Sequence, residues 1–178
     1  QALAVAEGCT PSGADVEAVA VSGEFGASPV VTFEAPLSAV LTQRSVIIDG
    51  EGVEVQDGDI LSIDYSLYNA ATGDLIEESG YTDVSPTLLT LDIDAPNFVG
   101  VSLTAACSTV GSRVVGLIPP SEAFGTDGAP EFGLGAGESL LFIVDVIEIK
   151  PPPEPPLDRI EGEPADPPAG FPEVTYDA

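Results

Sequence analysis

The sequence predicts an α+β fold: a curved antiparallel β-sheet of four to six strands wrapped around one short α-helix. Three observations lead there. Short strand-like segments recur between Gly, Pro and Asp, one stretch is helical in pattern, and two late runs are apolar on both faces.

The strand signals begin after Pro29 with the VVTFEA of residues 30–35 and continue with the VLTQRSVII of residues 40–48. Leu61 to Leu67 alternates strictly, which predicts one buried and one solvent-facing sheet face. Pro86 opens a further short strand, TLLTLDI. Asn97 to Cys107 is the helical stretch, with Phe98, Val101, Leu103 and Ala105–Ala106 forming an apolar stripe. Were it a strand instead, an immunoglobulin-like sandwich would be the alternative. Thr109-Val110-Gly111-Ser112 reads as a turn. Val114 to Ile118, closed by Pro119-Pro120, and Leu140 to Ile149 read as central strands.

Around this domain, residues 24–150, the texture changes. Residues 1–23 are small, acidic and weakly patterned, and read as an extended N-terminal extension pinned at Cys9. Residues 151–171 are rich in proline and carboxylates and read as a stiff, solvated linker. Pro172 to Ala178 repeats Pro29 to Ala35 with four identities at an offset of 143 residues, which reads as the start of a second copy of the domain. The chain has no methionine, so Gln1 is expected to follow the removal of something upstream.

Composition excludes several chemistries. Without histidine there is no Ser-His-Asp or Cys-His nucleophile pair and no imidazole metal ligand. Thirty acidic residues face four basic ones, a surface that repels nucleic-acid phosphates and anionic headgroups. No run approaches the ~18 uninterrupted apolar residues of a membrane span. Glu77-Glu78 is a carboxylate pair without the tryptophans a sugar cleft would stack on. Asp92-Ile93-Asp94 with Asn97 lacks the glycine and terminal glutamate of a calcium loop and reads as an acidic turn. Cys9 and Cys107 show no metal spacing. Their even count in an acidic, lysine-poor chain suggests one disulfide in an extracellular bacterial setting. Two unpaired thiols are the alternative. A lipid anchor at Cys9 is another, although Ala6-Glu7-Gly8 lacks the leucine such a site carries.

One ordered set of segments goes further. Gly58-Asp59 leads into a strand bearing Ile63-Asp64-Tyr65, and Leu75-Ile76-Glu77-Glu78-Ser79 follows. Phe98-Val99-Gly100-Val101 enters the helix, Val110-Gly111-Ser112-Arg113 turns after it, and Ala123-Phe124-Gly125 and Leu140-Leu141-Phe142 close the series. From Val55 to about Glu148 this order resembles the FKBP-type peptidyl-prolyl cis-trans isomerases, and specifically a divergent, actinobacterial-like member. The resemblance implies a catalytic set of Tyr65, Glu77, Phe98, Phe124 and Phe142, with Ile76, Leu89, Val101 and Leu134 binding substrate. Ile76 stands where the family has an aromatic, Val101 where it has a tryptophan floor, and Phe124 where a tyrosine hydroxyl usually donates to the peptide.

Such a site requires no cofactor and no metal. Turning an X-Pro bond costs ~20 kcal/mol, and a dry pocket admits the twisted, less polar amide. The implied function is a weak extracytoplasmic isomerase, secreted or in the cell envelope, acting on a proline-containing peptide or unfolded protein. A second FKBP-like module downstream is also implied. The alternative is a non-catalytic peptide-binding or spacer module of a cell-surface protein.

Overall fold

A computed structural model describes residues 9–82 and 87–151. Its centre is two long strands, β4 (Ile60–Asn69) and β8 (Leu140–Lys150), paired antiparallel along their whole length. β7 (Arg113–Ile118) lies on the other side of β8, and β3 (Gln43–Ile48) pairs with β7 at the edge. The free edge of β4 is divided: β6 (Thr87–Thr90) pairs with Ile60–Ile63 and β5 (Leu75–Glu78) with Ser66–Tyr68. This six-stranded antiparallel sheet packs on one helix, α2 (Val99–Ala105). The segment at 97–107 therefore carries a helix, over Val99–Ala105, and the sandwich alternative falls. The expected strand after Pro86 runs over Thr87–Thr90, with Pro86 itself outside the described residues. The linker from residue 152 onward and the repeat at 172–178 also lie outside them.

The helix differs from the expected apolar stripe. It is shorter than 97–107, because Phe98 enters it left-handed and Ala106 leaves it extended. Its inward residues are small or polar: Gly100, Ser102, Thr104 and Ala105. Close approach to β7 explains the choice. A Cβ on Gly100 would overlap Ile118, and a Cβ on Gly116 of β7 would overlap Thr104. Bulky residues would lift α2 off the sheet.

Residues 9–22 are not an extended tail. A short helix, α1 (Ala14–Glu17), buries Val16 completely. β1 (Ala20–Ser22) and β2 (Val30–Thr32) form a two-stranded hairpin beside it. Val16 and Val19 pack with Val115, Leu117, Leu141 and Ile143 on the sheet face turned away from α2. The domain thus begins well before residue 24. Alternate residues of β7 and β8 serve two cores, Val114, Ile118, Phe142 and Val144 toward α2 and the intervening residues toward the N-terminal layer.

That second layer overturns another expectation. The polar positions of Leu61 to Leu67 do not face water: Ser62, Asp64 and Ser66 are buried. Ser79 Oγ donates to Asp64 at 2.8 Å, and the Ser66 and Tyr81 hydroxyls lie 2.9 Å apart. Next to them sits an ion pair between directly opposed residues of β7 and β8. Arg113 Nε and Nη2 each donate to Asp145 at 2.6 Å, and both side chains are 0% exposed. Arg113 also donates to the carbonyls of Ala27 and Gly23, while Asp145 accepts from the Gly26 amide at 2.7 Å. Burial alone would lower the arginine pKa. The hydrogen bonds and charge of Asp145 outweigh it, so the guanidinium stays above its ordinary value.

Cys9 and Cys107 are joined, 98 residues apart, tying the N-terminal layer to the residues after α2. Arg44, buried on β3, donates to the Thr104 carbonyl at the end of α2, and its amide donates to Pro11.

Two stability experiments follow. Asp145→Ala strands a buried guanidinium and should cost ~3–5 kcal/mol in urea unfolding, against within ~0.5 kcal/mol for the exposed Lys150→Ala. Equal costs would remove the pair from its structural role. Serine at both Cys9 and Cys107 should lower stability by up to ~4.7 kcal/mol, the chain-entropy limit for a loop near 100 residues. An unchanged urea midpoint would show that the crosslink does not constrain the unfolded chain.

Candidate functional site

The face of β4 toward α2 presents Ile63, Tyr65 and Leu67 at every second position. Phe142 of β8 stands opposite Leu67, and its ring lies 6.2 Å from that of Tyr65 at 45°. Thr87, Leu88 and Leu89 of β6 form one wall, and Phe98 and Val101 at the start of α2 form the other. Together these nine residues enclose a cleft of about 170 Å³, apolar apart from the phenol and one threonine hydroxyl.

The phenol is fixed by a carboxylate. Tyr65 Oη donates to Glu77 Oε1 at 2.8 Å. Burial pushes this phenol up to about 12, helped by the hydrogen bond and the negative charge of Glu77. The hydroxyl therefore stays protonated across the physiological range and acts as a neutral dipole at the cleft wall. Glu77 is exposed on β5, opposite Leu67.

Phe98 holds a left-handed backbone, φ 59° and ψ 22°, which costs a non-glycine residue of order 1–3 kcal/mol. This turn aims its ring away from the helix and into contact with Phe124, centroids 4.3 Å apart at 82°; Phe124 in turn lies 5.8 Å from Phe132. Phe98 thereby also walls a neighbouring hollow of about 270 Å³, lined by Pro96, Asn97, Ser121, Ala123, Phe124 and Gly125.

Of the residues expected at the site, Tyr65, Leu89, Phe98, Val101 and Phe142 line the cleft, and Glu77 reaches it through Tyr65. Phe124 lines the adjoining hollow. Ile76 packs against the core that contains Phe142 and does not line the cleft. Leu134 is fully buried, its backbone bonded in both directions to Ala129 under the loop, and it too lies off the cleft. Four lining residues went unread: Ile63, Leu67, Thr87 and Leu88. The two-residue period around Tyr65 pointed to the first pair. The strand expected after Pro86 gave β6 itself but not its place beside Ile60–Ile63 at the cleft wall. At the acidic turn, Asp92 accepts from the Asp94 amide at 3.0 Å. Among the described residues no group of three metal-ligating side chains comes together.

No family model matches the sequence, and no curated protein matches it. Solved structures do. The N-terminal domain of FKBP42 from Arabidopsis thaliana superposes with a TM-score of 0.57 at 20% identity, covering 70% of this chain and 98% of that one. A peptidyl-prolyl cis-trans isomerase from Pseudomonas syringae pv. tomato gives 0.52 at 17% identity, over 62% and 76% of the two chains. FkpA from Escherichia coli gives 0.52 at 26% identity over 62% of this chain, the match spanning about half of FkpA, 48%. The architecture is the FKBP-like α+β fold, and its structural neighbours are FKBP-type isomerases.

The phenols offer a direct check. Tyr65 and Tyr81 both stand near 12 against an ordinary 10.0, so the folded chain keeps protons that the unfolded chain loses. Their contribution to stability is complete below pH 10 and disappears as pH rises toward 12. Tyr68 is raised as well, by burial and then by the charge of Glu78. A phenolate absorbance titration should therefore show three phenols above the ordinary value, and Tyr65→Phe should remove one of them. Loss of an ordinary phenol instead would contradict the Tyr65–Glu77 hydrogen bond.

Proposed function

We propose that the cleft binds proline-containing polypeptide segments and accelerates cis–trans exchange at the X-Pro bond, weakly and outside the cytoplasm. The observation that carries this is the protonated Tyr65 phenol, held by Glu77 at the edge of a cleft otherwise walled by Phe142, Phe98, Val101, Leu89 and Ile63. A proline ring is apolar and compact and suits such a volume. A twisted amide loses conjugation and dipole, so exclusion of water favours it over the planar form, with no nucleophile involved.

Two side chains argue for modest turnover. Val101 leaves the cleft floor open where a large aromatic would close it, and Phe124 offers no hydroxyl to a bound peptide. A missing hydrogen bond is worth roughly 0.5–1.5 kcal/mol, or about a tenfold rate factor at most. The same features favour the second reading, a docking module that holds proline segments without turning them. The Cys9–Cys107 bond supports an extracytoplasmic setting, because disulfides persist where the medium is oxidising. The repeat at Pro172–Ala178 supports a second module beginning there, since the matching residues Val31 and Phe33 pack in the N-terminal layer of this one.

The test is an isomerisation assay on a Leu-Pro peptide. The wild-type chain should speed relaxation above the spontaneous rate. Phe142→Leu should lower kcat/KM about fivefold, from ~1 kcal/mol of lost apolar wall, and more than Glu77→Gln does. Val101→Trp should raise it by rebuilding the floor. Binding without acceleration in wild type and Val101→Trp alike would assign the cleft to docking.

A further inference from the structure

We propose that the segment the cleft selects is cationic, a proline-containing polypeptide with lysine or arginine beside the proline. This rests on the proline-cleft reading and adds the charge class of the occupant.

Both arginines among the described residues are spent internally. Arg113 is fully buried against Asp145, and Arg44 is buried with its Nε on the Thr104 carbonyl. Lys150 is the one solvent-facing cation among the described residues, and its amino group lies 2.6 Å from Glu148. Apart from Lys150, no side-chain cation on the described surface offsets the carboxylates.

Those carboxylates include several on the elements that build the site. Glu77 flanks Tyr65 on β5. Asp92 and Asp94 are exposed between β6 and Phe98, Asp127 follows the Phe124 loop, and Glu131 adjoins Phe132. At Glu77 the geometry is specific. Oε1 accepts the Tyr65 phenol, while Oε2 accepts no hydrogen bond from the described residues. A carboxylate oxygen is thus left open at the edge of an apolar cleft, where low-dielectric walls focus its field.

A peptide extended through the cleft advances about 3.3 Å per residue, so a lysine one or two positions from the seated proline reaches this rim on its four-carbon stem. The same field disfavours the chain's own proline-rich segment. Residues 151–171 carry Glu154, Asp158, Glu161, Glu163 and Asp166 against Arg159 alone.

The test measures fluorescence anisotropy of labelled peptides on the full chain. The peptides share a Leu-Pro centre and carry flanking Lys, Gln or Glu. Salt is set at about 10 mM and about 1 M, where the screening length is about 30 Å and about 3 Å. At low salt the Lys peptide should bind at least about tenfold tighter than the Glu peptide, with Gln between, and high salt should collapse the spread. Glu77→Gln, and Asp94→Asn with Asp127→Asn, should each narrow it. Equal affinities for all three peptides would overturn the charge selection and leave the proline reading intact. So would a peptide of residues 151–171 binding as tightly as the Lys peptide. A Lys peptide with Leu-Ala in place of Leu-Pro that binds equally well would overturn the proline reading itself.

Discussion

The Arg113–Asp145 pair decides how this domain is layered. β7 and β8 are apolar on the face toward α2, and on the other face they place a guanidinium directly against a carboxylate. Two ions out of water are costly, and their mutual attraction roughly offsets that cost only when the remaining donors and acceptors are also satisfied. The loop between β1 and β2 satisfies them, through the carbonyls of Gly23 and Ala27 and the amide of Gly26. The pair therefore demands a covering loop, and the loop brings the β1–β2 hairpin. Around it Val16 and Val19 close the second core. A sheet covered on both faces is stiff, and the cleft is built on its two central strands. β8 carries Asp145 in one layer and, three residues earlier, Phe142 in the other.

Much of the α2-side architecture was legible because it follows a two-residue period. Alternation from Leu61 to Leu67 placed Tyr65 among inward side chains, and the glycine-punctuated order of segments placed Glu77, Phe98 and Phe142 near it. Alternation failed on the opposite face for a physical reason. Ser62, Asp64 and Ser66 look like surface residues, but a polar residue is buried readily when partners such as Ser79 and Tyr81 arrive from elsewhere in the chain. No local pattern records such partners. Residues 14–22 were missed similarly: one valine on a four-residue helix and a second two residues past its end make too short a signal, and their burial depends on Val115 and Leu117, about a hundred positions away.

The helix shows a different limit. A hydrophobic stripe is the usual mark of a helix that packs on a sheet, yet here Gly100 and Thr104 face β7 because Gly116 lets the backbones approach. Shape complementarity between small residues gains dispersion contacts without large apolar side chains, and hydropathy does not see it. Leu134 errs the other way. It is as apolar as a cleft residue should be, but its loop folds back through Ala129 and buries it entirely.

Close packing at the start of α2 bears on the strain of the residue that enters it. With Gly100 against Ile118, the chain entering the helix has little room to shift, and Phe98 takes up the mismatch in a left-handed turn. Relaxing Phe98 toward an ordinary conformation would swing its ring away from Phe124, opening the wall that the cleft shares with the neighbouring hollow. A strained residue persists where its surroundings over-determine it. Here the helix–strand contact and the aromatic stack do so from two sides. Cleft shape is thus set by backbone packing deeper in the domain, and the few polar atoms at its edge, the Tyr65 phenol and the Glu77 carboxylate, act on a ligand whose position the apolar walls have already limited.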